Sequence, residues 1–316
     1  MKQSNAITRV AVIGAGALGS YYGARLAQAG VDITFLLRND YEYVSVNGLK
    51  VTSIDGDFSL SEINCEFNVE KIGVVDLVII AWKTTANHHY KKVITPLLHE
   101  QTKILTLQNG LGSVDELARI FGADRVYGAL CFIGVNRLSP GRIDHSAMAG
   151  PAKVGKFLPK HRDLNAVEKT ELHKLVSFLS DGGIPCEVEE VLERAQWQKL
   201  VWNIPFNGLT ISEGGVDVAV LFTIEGMEQR IRLIMREVLA ISAALGHEIA
   251  DRVIDRQIEK TKAMGNYRPS SMIDYVAGRE VEVDAIWFEP MRRARELGVS
   301  VPEIESLLKE IQSLID

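Results

Sequence analysis

Cysteine is scarce in this chain. There are three in 316 residues, Cys65, Cys131 and Cys186, widely spaced and odd in number. That excludes a disulfide framework or a cysteine metal knuckle and reads as buried thiols in a reducing compartment. Positive charge is not in excess either: 35 Lys and Arg face 41 Asp and Glu, a net charge of -6. A nucleic-acid binder would normally be basic, whereas one local cationic cluster still suffices to hold a small anion. Long apolar runs are missing. The most apolar stretch, residues 74–82, is short and carries Asp76, so no membrane span is expected. The opening Met-Lys-Gln-Ser-Asn-Ala has no signal-peptide pattern, and a cytoplasmic location is expected. Internal repeats and low-complexity tracts are absent. His145 and the pair His88-His89 have no partners at metal-ligand spacing; they read as structural or surface residues, and no metal is expected.

What is present divides the chain in two. At this length two domains are the natural expectation. Residues 7–13 form a β-branched strand pattern that runs into Gly14-Ala15-Gly16-Ala17-Leu18-Gly19. A helical stretch follows, ending on Gly30, and then a second strand, 32–38. Strand, glycine-rich turn, helix and second strand within about thirty residues is the context that makes this triplet a dinucleotide fingerprint. Gly14 permits the turn, Gly16 admits the pyrophosphate, and Gly19 lets the helix pack on the strand. The helix N-terminus then offers N–H groups and a positive dipole end. At the end of the second strand an NAD enzyme would carry Asp or Glu; here stands Arg38, whose guanidinium suits a 2′-phosphate. The expected cofactor is therefore NADP(H).

Two further buried-strand patterns end in Lys83 and in Asn109-Gly110, at the strand ends where α/β sheets gather ligands. Lys83 is read as neutralising a cofactor phosphate or a substrate carboxylate. Asn109 is read as bonding ribose or the nicotinamide side, with a plain Asn-Gly turn as the alternative. Strands are also expected over 125–135 and after the Ser-Pro-Gly turn at 139–141.

From 165 to 179 the period turns helical, and after Glu189 no strand pattern appears. Helices are expected over 191–206, 222–245, 271–277, 285–297 and 303–315. The division falls at 1–188, an α/β Rossmann-type domain, and 189–316, an all-α domain, with a substrate cleft expected between them. In the second part Lys199, Asn203 and Asn207 recur at a spacing of four, which lines them along one helix face. Either this is a solvated polar face, or it is a row that meets the oxygen atoms of a ligand. Pro269-Ser270-Ser271 reads as a helix start, its serines either caps or carboxylate donors. The acidic alternation Glu280, Glu282, Asp284 reads either as a solvated helix start or as a partner for Lys199.

Taken together, the glycine turn, Arg38, Lys83, the Leu107–Gly112 segment, the Trp197–Asn207 segment, Pro269–Met272, Glu282–Ile286 and the Arg292–Pro302 run resemble the ketopantoate reductase (2-dehydropantoate 2-reductase) family over nearly the whole length. The glycine motif is shared by many dehydrogenases; the Lys/Asn/Asn helix followed by the serine and glutamate segments is far more specific. The resemblance implies a 6-phosphogluconate dehydrogenase-like C-terminal domain and NADPH-dependent reduction of 2-dehydropantoate to pantoate in pantothenate and coenzyme A synthesis. By it, Lys199 is the general acid, Glu282 orients the lysine and the new hydroxyl, and Asn203 and Asn207 position substrate oxygens. Ser271 binds the carboxylate, Asn109 lies where cofactor meets substrate, and Lys83 lies beside the cofactor. Two departures weaken transfer of details: the segment after Asn207 lacks a proline and an asparagine found in some members, and the stretch from Ser271 to Glu282 is one residue shorter. The competing readings are reduction of another branched 2-oxo acid, and a non-catalytic NADP(H)-binding regulator. Apolar residues in the C-terminal helices suffice either to close a domain or to pair two chains as a homodimer.

Overall fold

The computed structural model describes residues 7–148, 150–159 and 162–315. The opening segment read as lacking a leader lies, through Ala6, outside the described residues. Contacts divide the chain into two compact units. The first comprises the residues up to Gln108 together with Ser113–Leu192; the second comprises Asn109–Gly112 and the chain from Glu193 on.

The first unit is built on an eight-stranded sheet in the order β12-β11-β8-β7-β6-β1-β2-β5. Its strands are β1 (Arg9–Ile13), β2 (Asp32–Leu36), β5 (Asn64–Glu66), β6 (Leu77–Ile80), β7 (Lys103–Thr106), β8 (Val126–Leu130), β11 (Ala152–Lys156) and β12 (Cys186–Val188). Pairing from β8 through β5 is parallel, and β11 runs antiparallel to β8. The central strands are largely apolar, as parallel strands covered on both faces tend to be; all four residues of β6 are apolar and buried. The chain leaves β1 for β2 on one side and returns to β6 on the other, a reversal of strand order that opens a crevice at the carboxyl ends. Helix α1 (Ala17–Gln28) lies against β2, where a Cβ on Gly23 would stand 2.4 Å from the Phe35 ring.

A second, four-stranded sheet was not anticipated. It runs β4 (Phe58–Leu60), β3 (Leu49–Ser53), β10 (Arg142–Met148), β9 (Ile133–Ser139). Its strands are short and separated in sequence, so no local periodicity reveals the β3–β10 pairing. The expected Ser-Pro-Gly turn joins β9 to β10, with Gly141 at φ +69°. Helices α2 (Tyr41–Asn47), α3 (Tyr90–Ile94), α4 (Ser113–Phe121) and α5 (Ala166–Asp181) complete this unit. Helix α5 opens with a reciprocal capping box between Asn165 and Glu168.

The second unit is helical: α6 (Leu192–Ser212), α7 (Val218–Leu221), α8 (Met227–Ala244), α9 (Arg252–Lys262), α10 (Ser270–Val276), α11 (Glu289–Glu296) and α12 (Pro302–Ile315). Its core gathers Trp197, Ile204, Phe206, Ile231, Met235, Trp287, Leu307 and Ile311. Helix α6 continues six residues beyond the expected end and passes through Pro205. A proline inside a helix removes one N–H from the ladder, a loss that the surrounding packing outweighs here. Helix α8 begins at Met227, later than expected, because Gly226 at φ +77° interrupts the chain before it. Helix α9 went unread: only Ile254, Ile258 and Thr261 of its eleven residues are buried. The expected helix at 285–297 is two things, a π-helical turn at Asp284–Phe288 and then α11.

Candidate functional site

The three glycines of the first turn do three different things. Gly14 has φ +86°, and a Cβ there would fall 2.2 Å from the Trp82 backbone nitrogen. A Cβ on Gly19 would stand 2.5 Å from the Gly14 carbonyl oxygen and 2.9 Å from the Ala81 side chain, so its absence lets α1 approach the end of β6. A Cβ built on Gly16 would meet nothing within 4 Å beyond its own stretch of chain. That open space beside the backbone is what a pyrophosphate requires. Ala15, Ala17 and Leu18 complete the turn, held by Gly16 N–H to Gly14 O (2.8 Å) and Ser20 Oγ to Ala15 O (2.9 Å). No side chain caps α1, so its first N–H groups and positive dipole end face this space. The residues present fit a dinucleotide.

Arg38 stands two residues beyond β2 and is exposed. Lys83 is half-buried and opens the 3₁₀ turn Thr84–His89 that follows β6. A polar network beneath this turn was not visible in the sequence. Asn87 Oδ1 accepts from Trp82 Nε1 (3.3 Å) and from Gln108 Nε2 (2.7 Å), while Gln108 Oε1 accepts from Tyr90 Oη (2.5 Å) and Thr106 Oγ1 (2.8 Å). It ties the ends of β6 and β7 together just before Asn109. None of its members carries a spacing that would have disclosed it. His145 is buried against Ser53 Oγ at 2.8 Å, and that burial depresses its proton affinity. The three cysteines are free and half-buried rather than fully buried. Among the described residues no group of three His, Cys, Asp or Glu could hold a metal ion, and no helix is long and apolar enough to cross a membrane.

In the second unit the polar row on α6 is not a solvated face. Asn203 is 7% and Asn207 2% exposed, and Lys199 is half-buried. Lys199 Nζ donates to Asn109 Oδ1 at 2.7 Å, across 90 residues of sequence. Asn109 sits in the loop that leaves β7, and that loop packs with the helical unit. Leu111 N–H donates to Ala285 O at 2.9 Å, and Gly110, at φ +81°, fits only because it has no Cβ, which would stand 2.4 Å from the same oxygen. The Asn109 side chain therefore meets the lysine.

Asn207 donates from Nδ2 to Asn203 O at 3.0 Å and accepts, at Oδ1, the backbone N–H of Ser271 at 3.0 Å. This resolves the helix start at Pro269. The serines do not cap α10; no side chain of its own N-cap does, and Asn207 supplies the acceptor from another helix. Ser271 is buried and Ser270 exposed. Glu282 is half-buried and stands two residues before the π-helical turn, its backbone oxygen accepting from Ile286 N–H at 3.3 Å. The turn is fixed to α6 by Trp287 Nε1 donating to Ile204 O at 3.1 Å. Such turns are frequent at functional sites. Hydrogen bonds thus join Lys199 to Asn109, and Asn207 to both Asn203 and Ser271.

A doubly wound sheet with a glycine-rich phosphate turn, followed by a helical unit carrying a lysine and amide row, defines an oxidoreductase of the dinucleotide-binding class. Residues 10–159 match the family described as "Ketopantoate reductase PanE/ApbA", and residues 191–314 match "Ketopantoate reductase PanE/ApbA C terminal". A 2-dehydropantoate 2-reductase of Nostoc sp. is 37% identical over 309 residues, covering 97% of this chain and 95% of its own length. The crystal structure of 2-dehydropantoate 2-reductase from Geobacter metallireducens superposes with a TM-score of 0.91 at 42% identity, covering 96% of this chain and 99% of that one. That from Methylococcus capsulatus gives 0.86 at 28% identity, covering 97% and 96%. The chain belongs to the ketopantoate reductase PanE/ApbA family.

Proposed function

We propose that the chain reduces 2-dehydropantoate to pantoate with NADPH, the reaction named by its relatives, in the service of pantothenate and coenzyme A synthesis. The hydrogen bond from Lys199 Nζ to Asn109 Oδ1, 2.7 Å, carries this reading. It holds a proton donor on the loop at the carboxyl end of β7, where a ligand of the sheet is expected. The bound cofactor supplies hydride to the carbonyl carbon, and the carbonyl oxygen becomes an alkoxide. Lys199 stabilises that developing charge and gives the oxygen a proton. Asn203 lies one turn along the same face and orients substrate oxygens. Asn207 also holds Ser271 and the start of α10, and its second amide N–H is left to position substrate oxygens. Ser271 meets the substrate carboxylate, and Glu282 orients the lysine and the product hydroxyl. On the cofactor side the residues from Gly14 through Gly19 receive the pyrophosphate, Lys83 lies beside it, and Arg38 grips the 2′-phosphate. The protein is expected to work in the cytoplasm.

Loss of NADPH absorbance on adding 2-dehydropantoate, compared with 2-oxoisovalerate and oxaloacetate, tests the reading. A kcat/KM for 2-dehydropantoate at least about tenfold above the others is expected, a difference of ~1.4 kcal/mol in transition-state binding. Preference for another acid would keep the chemistry and change the substrate. Oxidation with none of them would overturn the reading.

A further inference from the structure

The polar residues treated so far leave a cationic group on the first unit unused. His88 and His89 end the 3₁₀ turn after β6, both exposed, with ring centroids 3.9 Å apart. His88 Nδ1 lies 3.1 Å from Thr85 O, an acceptor, which makes Nδ1 the protonated nitrogen and turns Nε2 outward. His89 is also the N-cap of α3, which carries Lys92. Arg38 approaches from the end of β2. Strands β2 and β6 flank β1 on either side, so their ends lie at one rim of the sheet. Arg38 is close enough that its charge acts on His89, as do those of His88 and Lys92. Arg38, and the histidine pair with Lys92, thus lie on segments that leave the sheet at the rim where the adenosine half of a dinucleotide lies in a Rossmann sheet.

We propose that His88 and His89 join Arg38 and Lys92 in binding the 2′-phosphate of NADP(H), and that the histidine pair makes the preference for NADPH over NADH depend on pH. This rests on the reading of Arg38 given above and extends it to residues that the glycine-turn logic does not reach. Partial desolvation, and then the fields of His88, Lys92 and Arg38, hold the His89 imidazole below its ordinary range in the free protein. A phosphate dianion reverses that field and favours the imidazolium. Binding NADPH then takes up a proton, and binding NADH, which lacks the phosphate, does not. The sign follows. Below the His89 value in the free protein the ring is charged before and after binding, and the attraction is fully present. As pH rises through the bound-state value it is lost.

The test is the dissociation constant of NADPH and of NADH for the full chain, by fluorescence titration between about pH 5.5 and 8.5, where histidine changes charge. Wild type, H89N, H88N/H89N and R38A are compared. The phosphate's own second ionisation near pH 6 contributes in all four proteins, so they are compared with one another at each pH. In wild type the NADPH-to-NADH affinity ratio should exceed that of H88N/H89N by about 2- to 5-fold at the acid end, the size of an exposed charge pair, and converge with it at the alkaline end. Calorimetry in two buffers of different ionisation enthalpy should show more proton uptake with NADPH in wild type than in the double variant. NADH affinity reports whether each variant keeps its adenosine site. If H88N/H89N keeps the wild-type ratio and slope while R38A loses discrimination, the histidine proposal fails and the reading of Arg38 stands. If R38A also keeps the wild-type ratio, the reading of Arg38 fails with it.

Discussion

Lys199 is where one substitution says most about the chemistry. Its ammonium is half-buried, positioned by Asn109 on one side and carried on α6 beside two buried amides. K199A removes the proton donor and leaves the glycine turn, in a separate unit, untouched. We expect kcat to fall on the order of 10²- to 10⁴-fold, the usual contribution of a general acid, with NADPH affinity changed by less than about twofold. Single-turnover NADPH oxidation and fluorescence titration separate the two effects. Turnover near the wild-type rate would remove Lys199 from the acid role. The four-residue spacing put Lys199, Asn203 and Asn207 on one face, but spacing alone left that face solvated or buried with equal ease. The contacts that decide it come from Asn109, 90 residues away, and from Ser271, 64 residues away. Local periodicity carries no information about either.

At the scale of elements, the π-helical turn at Asp284–Phe288 is the part that sequence reading flattened into ordinary helix. Its residues are as helix-compatible as those around them, and the inserted residue per turn is a response to packing rather than to propensity. The turn has two attachments. Ala285 O receives Leu111 N–H from the loop bearing Asn109, and Trp287 Nε1 donates to Ile204 O on the helix bearing Lys199. Strands β1, β2, β6 and β7 and the glycine-rich turn were legible because apolar runs, glycine position and strand length are local signals. The second sheet and α9 were not, since the one depends on distant pairing and the other on three buried side chains. Gly110, in the loop held to the π-helical turn, is the residue whose replacement tests the attachment. An alanine there must adopt φ +81° and put a methyl group 2.4 Å from Ala285 O, so the loop must shift. G110A should lose about 1–3 kcal/mol of stability. It should also lower kcat more than it raises KM, because Asn109 moves away from Lys199. A melting experiment paired with steady-state kinetics reads both. Unchanged kcat with a lowered melting point would make the loop a fold element without a catalytic duty.

The molecule as a whole carries a modest net charge of -6 and two separate cores, so its response to acid is set by particular carboxylates rather than by bulk repulsion. In the first unit Asp76 joins the start of β1 to β6. Its Oδ2 accepts Thr8 N–H at 2.8 Å, Thr8 Oγ1 at 2.7 Å and Arg9 N–H at 2.9 Å, and Oδ1 lies 3.2 Å from His99 Nε2. Desolvation alone would raise its pKa, yet these hydrogen bonds bring it down to about 2 from an ordinary 3.8. Glu168, gripped by Arg162 at 2.7 Å through each oxygen and closing the cap of α5, falls to about 2 from 4.5. Both are depressed in the folded state. Their stabilisation is complete above the ordinary values and is lost as pH falls from there toward 2. In the second unit Glu237 caps α12 through Glu303 and Ile304 N–H groups, but burial raises its pKa, so acid relieves rather than weakens that site. Glu228, held by Lys262 and Arg232, and Glu289, held against its burial by Arg292 and Arg293, are also depressed but less far than Asp76 and Glu168, so the first unit should open before the second on acidification. D76N should cost on the order of 2 kcal/mol at neutral pH, the weight of hydrogen bonds to a charged acceptor. For a domain of this size that lowers the melting point by roughly 4–8 °C. The difference from wild type should shrink as pH approaches 2, because the wild-type carboxylate is then protonated too. Hydrogen exchange followed along the chain between neutral pH and about pH 3 measures the order of opening. Protection lost first in α8 and α12 would show that Asp76 and Glu168 do not govern the acid limit.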